Sequence, residues 1–336
     1  LDGSESFSIQ NLIGAIQNGA RHEDVRAYLD RFSLSDPQLV SNAINETVEG
    51  VPVMMYVVAA NDDANIRLFV KHGGDVSAAY GTPPVPLLAY AIINRNIRNE
   101  DTTVVVATLL GLGASTAAIP KPFYFPFDEE LRSGGPADEE LKDVWTDETR
   151  WCQPAHTRNL LAETLNITER YYLHRSSKIA RPTARQRWVA ARHDSSELFA
   201  VPYFLIGQSA ATDLLTRSLL HYMLRRHEQP LVLVFAGPSG HGKTELARRL
   251  GALLSLDLQV SDCTIVAREV ELFGPRKPYV GAEDGSPLNN FLAAHHDQRC
   301  IVFLDEFEKT TADIWNALLI PFDKGNTTLK YFVSRQ

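Results

Sequence analysis

Gly237-Pro238-Ser239-Gly240-His241-Gly242-Lys243-Thr244 fits the spacing G-x-x-x-x-G-K-[ST], and its flanks give that spacing its meaning. Leu231-Val232-Leu233-Val234-Phe235 ahead of it is an apolar run that favours a strand, and Glu245-Leu246-Ala247-Arg248-Arg249-Leu250 behind it is a run of helix formers. Between a strand and a helix, glycines at 237, 240 and 242 let the backbone curl closely around an anion. Successive N–H groups and the positive end of the helix then all point at it. In that setting Lys243 bridges the β- and γ-phosphates of a nucleoside triphosphate and the Thr244 hydroxyl reaches Mg²⁺. The loop predicts ATP as ligand, held by Gly237, Pro238, Ser239, Gly240, His241, Gly242, Lys243 and Thr244.

Further along, Cys300-Ile301-Val302-Phe303-Leu304 reads as a fully buried parallel strand that ends in Asp305-Glu306. The last residues of such a strand lie at the carboxyl edge of the sheet, the edge a phosphate loop occupies. Asp305 is therefore expected to hold Mg²⁺, and Glu306 to orient and polarise the water that attacks the γ-phosphate. An Asp-Glu pair can also simply open a helix. The loop upstream favours the catalytic reading, with Glu306, Lys243 and Asp305 as catalytic residues and Thr244 and Asp305 as metal ligands.

Length and composition admit two domains: 336 residues, 44% hydrophobic and 22% charged, are ordinary for a globular chain. A formal net charge of -8 disfavours a general nucleic-acid role, which needs a basic surface. Cys152, Cys263 and Cys300 lie far apart without metal-ligand spacing and read as reduced, mostly buried thiols. Their usage points to an intracellular protein, with mitochondrial and cytoplasmic compartments both compatible. No apolar stretch is long enough to span a membrane. The chain starts at Leu1 instead of Met, so an upstream segment is an open expectation.

Residues 1–120 carry a recurring helical pattern. Val25/Tyr28/Leu29, Ile66/Phe69/Val70 and Val106/Leu109/Leu110 each place apolar side chains at i, i+3 and i+4. The turns His72-Gly73-Gly74-Asp75 and Leu112-Gly113-Ala114-Ser115 offer left-handed caps at Gly73 and Gly113. Val51-Pro52-Val53-Met54 and Val85-Pro86-Leu87-Leu88 each carry a proline placed to start a helix. The spacing of these units resembles ankyrin repeats, with a capping-like unit from Asn11 to Phe32 and two degenerate repeats, the last with an insertion around Asn94 to Thr102.

Residues 121–200 read as a charged, proline-containing connector: an acidic stretch from Asp128 to Glu148, then Arg175, Lys178, Arg181, Arg185, Arg187 and Arg192 around Trp188. The basic run reads chiefly as a solvated helix face with the acidic stretch as its neighbour; contact with an acidic partner or RNA is the alternative. From Val201 onward, a helix with Leu215, Leu219 and Tyr222 on one face precedes the loop, and a strand is expected around Leu256 to Val260. His295 and His296 read as surface residues without ligand spacing.

Together, Ile206-Gly207-Gln208, the Gly237 to Thr244 loop, the segment Leu272 to Gly285 and Leu304-Asp305-Glu306-Phe307-Glu308-Lys309 resemble the second ATPase module of Clp-type AAA+ protein disaggregases. The resemblance covers about Val201 to Gly325. Ankyrin-like repeats ahead of it resemble the mitochondrial Clp-type disaggregase of animals. The implied fold class is α/β: an AAA+ P-loop three-layer αβα parallel sheet over 201–336, truncated and without a C-terminal lid, preceded by an all-α ankyrin-like repeat domain over 1–120.

By the same resemblance, Ile206 and Gly207 line an adenine pocket, and Tyr279 and Val280 belong to a pore loop that grips substrate polypeptide. The implied partners are unfolded or aggregated protein clients, further copies in a homo-oligomeric ring, a hexamer in the complete protein, and a protein partner on the ankyrin-like repeats. Membrane is not implied, and nucleic acid is disfavoured.

Two departures qualify the likeness. Pro278 and Ala282 replace the Gly and the aromatic that usually flank the pore motif. The sensor residues, arginine finger and helical lid of the family would lie beyond Gln336, so slow hydrolysis by this chain is expected. The implied function is ATP hydrolysis coupled to remodelling of protein substrates. The alternative is a nucleotide-switched ankyrin scaffold with weak or no ATPase activity.

Overall fold

The structure, a computed structural model, describes residues 6–193, 195–224, 229–238, 240–254, 256–275, 284–296 and 298–324; the side chains of residues 97, 98, 320, 323 and 324 are also outside the description. The chain divides into two compact units, Leu1–Thr183 and Ala184–Gln336. The segment 121–200 is thereby shared between them.

The first unit is a stack of helix pairs. It begins with α1 (Ile9–Gln17), α2 (His22–Ser35) and α3 (Pro37–Ile44), then a hairpin of β1 (Thr47–Val48) and β2 (Val51–Pro52). Next come α4 (Val53–Ala59) and α5 (Asp63–Lys71), a second hairpin of β3 (Ala79–Tyr80) and β4 (Val85–Pro86), and α6 (Leu87–Arg98) with α7 (Thr103–Gly111). The unit closes with α8 (Ala155–Thr164) and α9 (Ile167–Lys178). One row of contacts runs α1 to α4 to α6 to α8, and a second runs α2 to α5 to α7 to α9. Each pair thus buries its apolar stripe only against its neighbours, the energetic logic of a repeat array.

The expected helix faces carry this packing. Val25, Tyr28 and Leu29, then Ile66 and Phe69, then Val106, Leu109 and Leu110, are all buried, whereas Val70 is half-buried. Pro52 and Pro86 stand immediately before α4 and α6, with backbone fixed in an extended conformation that launches each helix. Gly73 (φ +99°) and Gly113 (φ +105°) close α5 and α7 in the left-handed region. Gly74 N–H donates to Phe69 O and Ala114 N–H to Leu109 O, both at 2.9 Å, satisfying carbonyls the helix end would orphan. The same turn occurs at Gly19 (φ +77°), where Ala20 N–H donates to Ala15 O; this third instance was not singled out in the sequence. The insertion in the third pair is extra length in α6, ended by Asn99 at φ 54°.

The pair α8–α9 continues the stack inside the segment expected as connector. Its attachment is polar. Asn166 and Glu169 form a reciprocal capping box at the start of α9. The fully buried Glu169 carboxylate also accepts from Thr102 Oγ1 at 3.1 Å, and Asn166 Nδ2 donates to Thr103 Oγ1 at 3.1 Å. One residue on, the Arg170 guanidinium donates to the carbonyls of Phe123, Glu129 and Pro126, fastening the proline-rich turn over α9.

The second unit comprises α10 (Ala184–Arg192), α11 (Val201–Phe204), α12 (Ser209–Met223), α13 (Lys243–Leu253), β5 (Leu258–Asp262), α14 (Glu269–Phe273), α15 (Pro287–Ala294), β6 (Ile301–Asp305) and α16 (Ala312–Lys324). β5 and β6 pair in parallel, with Leu258 opposite Ile301 and Asp262 opposite Asp305. The two carboxylates therefore end adjacent strands at one edge. Val266, Leu272, Phe273, Leu288, Ile314 and Leu318 form a core cluster against which Val302 and Leu304 of β6 pack.

Three expectations are corrected here. Residues 231–235 form no strand: among the described residues nothing pairs with them, and Val232 and Val234 are 45% and 84% exposed. Their side chains alternate between half-buried and exposed, so the period-two pattern is present without a ladder to use it. The second correction concerns β6, which is half-buried along its length instead of fully buried, with Cys300 lying just outside it. Lastly, His295 is not a free surface residue: Nε2 meets Asp257 Oδ2 at 2.7 Å with only 15% of the side chain exposed, and this partner holds its pKa above the usual value. His296 is exposed, and no cluster of His, Cys, Asp or Glu suited to a metal occurs among the described residues. No described helix is long and apolar enough to cross a membrane.

Burial without a cationic partner in contact pushes the Glu169 carboxyl up from 4.5 to about 7. A raised pKa contributes stability that is fully present below 4.5 and lost as pH climbs through about 7. The first unit should therefore lose stability between those pH values. Glu169→Gln should remove that slope in thermal unfolding recorded across the same range.

Candidate functional site

The loop at 237–242 is held from both sides. Helix α13 begins directly at Lys243, after Gly242 in the left-handed region (φ +80°), and no side chain caps it. Its first amides are thus left to an exogenous acceptor, and its dipole favours an anion there. Gly240 is also left-handed (φ +79°), and a Cβ added at Gly237 or Gly240 would meet nothing within 4 Å. The loop therefore faces open space, with room for a phosphate chain. At Gly242 a Cβ would lie 3.1 Å from Leu205 Cδ2, so Leu205, which is buried, packs under the turn. The next residues in sequence, Ile206 and Gly207, are both exposed, and Gly207 has φ +81°.

Lys243 folds back over the loop. Its Nζ donates to Gly237 O at 2.9 Å and Pro238 O at 3.0 Å. The ammonium is thus poised above the loop's own carbonyls, which are weaker partners than phosphate oxygens. Thr244 Oγ1 donates to Asp305 Oδ2 at 3.0 Å, and Asp305 Oδ1 accepts from Glu306 N–H at 3.1 Å. The hydroxyl after the loop and the carboxylate at the end of β6 are therefore already in contact. Glu306 adopts φ 53°, rare for a residue with a side chain, and is exposed where the strand breaks into the turn Phe307–Lys309.

The expected residues consequently divide. The structure brings together Lys243, Thr244, Asp305 and Glu306, with Gly237, Pro238, Gly240, Gly242 and the exposed His241 in the loop beside them. Ser239, Tyr279 and Val280 lie outside the described residues. The sequence reading missed Asp262, whose Cα is paired with Asp305. Its Oδ1 accepts from Thr264 N–H at 2.9 Å and Thr264 Oγ1 at 2.6 Å, and these bonds hold its pKa below the usual carboxylate range. The signal was the length of β5, which runs two residues past the expected Val260. Behind this edge the buried Cys263 thiol is pushed up to about 11, first by burial and then by Asp262, Asp305 and Glu308. A thiol so suppressed carries little thiolate and is a poor nucleophile.

The donor set suits Mg²⁺. A hydroxyl and a carboxylate are hard oxygen ligands, and two protein oxygens are what this ion commonly takes while keeping waters and phosphate oxygens for the rest of its shell.

Comparison with known proteins agrees with this geometry. Residues 229–333 match the family described as AAA domain (Cdc48 subfamily). Among curated proteins, the chain is similar to a ClpA homolog protein of Fuscovulum blasticum, 35% identical over 130 residues, which is 37% of this chain and 16% of that protein. It is also similar to the chaperone protein ClpB of Lactiplantibacillus plantarum, 33% identical over 133 residues, and to that of Staphylococcus aureus, 29% identical over 133 residues; each match covers 37% of this chain and 15% of the relative. The chain thus spans about a sixth of the length of the curated relatives it matches. An AAA domain implies a P-loop αβα fold, and these matches support a Clp-type AAA+ ATPase segment in a unit that mixes helices with a parallel strand pair.

Gly242→Ala forces an L side chain into the left-handed region and against Leu205. It should destabilise the second unit by about 1–2 kcal/mol in urea unfolding. Gly237→Ala, at an unhindered position, should leave that stability unchanged while weakening nucleotide binding measured by calorimetry.

Proposed function

We propose that the second unit binds ATP with Mg²⁺ and hydrolyses it, and that this activity serves remodelling of protein substrates in an oligomeric ring. The observation that carries the reading is the 3.0 Å contact between Thr244 and Asp305, which joins the phosphate loop to the carboxylate pair.

In this reading Lys243 exchanges the carbonyls of Gly237 and Pro238 for β- and γ-phosphate oxygens, and the free amides of α13 complete the cradle. Ile206 and Gly207, next to the Leu205 that packs under the loop, receive the adenine. Thr244 and Asp305 would hold Mg²⁺, whose charge would be supplied opposite the transferring phosphate. Glu306 takes a proton from water as its oxygen bonds to the γ-phosphorus; the bond from that phosphorus to the bridging oxygen breaks, giving ADP and phosphate. Tyr279 and Val280 as a pore loop, an ankyrin identity for the helix pairs and a partner on their surface are parts of the proposal that rest on the sequence resemblance. The printed names of the relatives, a ClpA homolog and chaperones, support a protein substrate.

Glu306→Gln should leave ATP binding intact and lower turnover by about 100-fold or more. Lys243→Ala should lose binding itself. Phosphate release and equilibrium nucleotide binding, measured on the same preparations, separate the two effects. Turnover unchanged in Glu306→Gln removes that residue from the mechanism, and binding without any turnover in the unaltered chain favours the nucleotide-switched scaffold.

A further inference from the structure

Helix α10 has a face that its own unit leaves unused. Val189 and Ala190 are buried and seat the helix against α12 and the turn at Ser196–Ala200, so the helix is a fixed platform. On its open side Arg185, Trp188 and Arg192 fall at i, i+3 and i+7, a single stripe about 10 Å long at the rise of an α-helix. Trp188 leaves 59% of its surface to solvent. The Arg192 guanidinium carbon lies 5.4 Å above that ring, and Arg187 is exposed beside the stripe.

Among the described residues Arg185, Arg187 and Arg192 form no ion pair. Within the first unit, Asp138, Glu140 and Asp147 of the acidic stretch 128–148 pair with Arg158, Arg132 and Arg150. The solvated-face reading accounts for exposed arginines. It does not account for an exposed indole between two of them.

We propose that the Arg185–Trp188–Arg192 stripe docks an acidic polypeptide segment. The chemistry favours carboxylates over a polyphosphate. Arg192 already covers one face of the Trp188 ring, which limits base stacking to the other. Arg185 and Arg192 stand about 10 Å apart along the helix axis, which matches two carboxylates three residues apart on one side of a polyproline-II segment, each taken in bidentate fashion, with the indole covering the aliphatic stems between them.

The test uses the full chain and a fluorescein-labelled oligoglutamate peptide of about ten residues, long enough to span the stripe. Anisotropy should report saturable binding that weakens as salt is raised. The double variant Arg185→Gln/Arg192→Gln should lose affinity at least about tenfold, equivalent to about 1.4 kcal/mol, with an unchanged circular dichroism spectrum. Lys243→Ala should bind the peptide as the unaltered chain does, which separates this site from the nucleotide site. Absence of peptide binding, or equal affinity in the double variant, overturns the proposal. Tighter binding of a single-stranded oligonucleotide or of anionic vesicles through the same arginines overturns the assignment to a polypeptide.

Discussion

A single hydrogen bond, from the Thr244 hydroxyl to the Asp305 carboxylate, ties the chemistry of the second unit together. One partner stands in the first turn of α13, whose start is fixed by the left-handed Gly242; the other ends β6, whose register against β5 is fixed by parallel pairing. Neither element could shift by one residue without breaking it, because a one-residue slip of a strand sends its terminal side chain to the other face. The bond converts two motifs separate in sequence into one oxygen-lined edge beside an anion-seeking helix end. Asp262, brought opposite Asp305 by the same register, adds charge to that edge.

The two units are built on different principles. In the first, each helix pair leans on its neighbours, and the special backbone positions, Gly19, Gly73 and Gly113, recur because each pair must end a helix and reverse. Polar bonds also join the pairs: His22 meets Asn65, Asn45 Nδ2 donates to Gly73 O, and at the last pair Glu169 and Arg170 saturate buried amides, hydroxyls and carbonyls beside the apolar packing. In the second unit the start of α13 carries no side-chain cap, and Val232 and Val234 are exposed. A site that must accept a charged ligand has to forgo internal caps there.

Much of this was legible in the sequence where one residue type has one physical use. The left-handed turns at Gly240 and Gly242, the prolines before α4 and α6, and the caps at Gly73 and Gly113 follow the sequence because local backbone geometry alone dictates them. The buried helix faces of the array followed from period, with Val70 at the margin. What escaped was set at long range. The run Leu231 to Phe235 has strand composition, but a strand needs a partner, and composition names none. The pair His295–Asp257 and the Arg170 clasp join residues far apart in the chain. The capping box Asn166-Ile167-Thr168-Glu169 was visible as a pattern, yet its burial against Thr102, which moves the carboxyl toward neutrality, was not.

Titration calorimetry of ATP into the folded chain, with Mg²⁺ and again with chelator, addresses the central claim most directly. The account predicts saturable uptake near one equivalent that weakens markedly without the metal ion and is lost when Thr244 and Lys243 are both replaced by alanine. A chain that is folded by circular dichroism yet takes up no adenine nucleotide, or takes it up equally well without those two side chains, would contradict it.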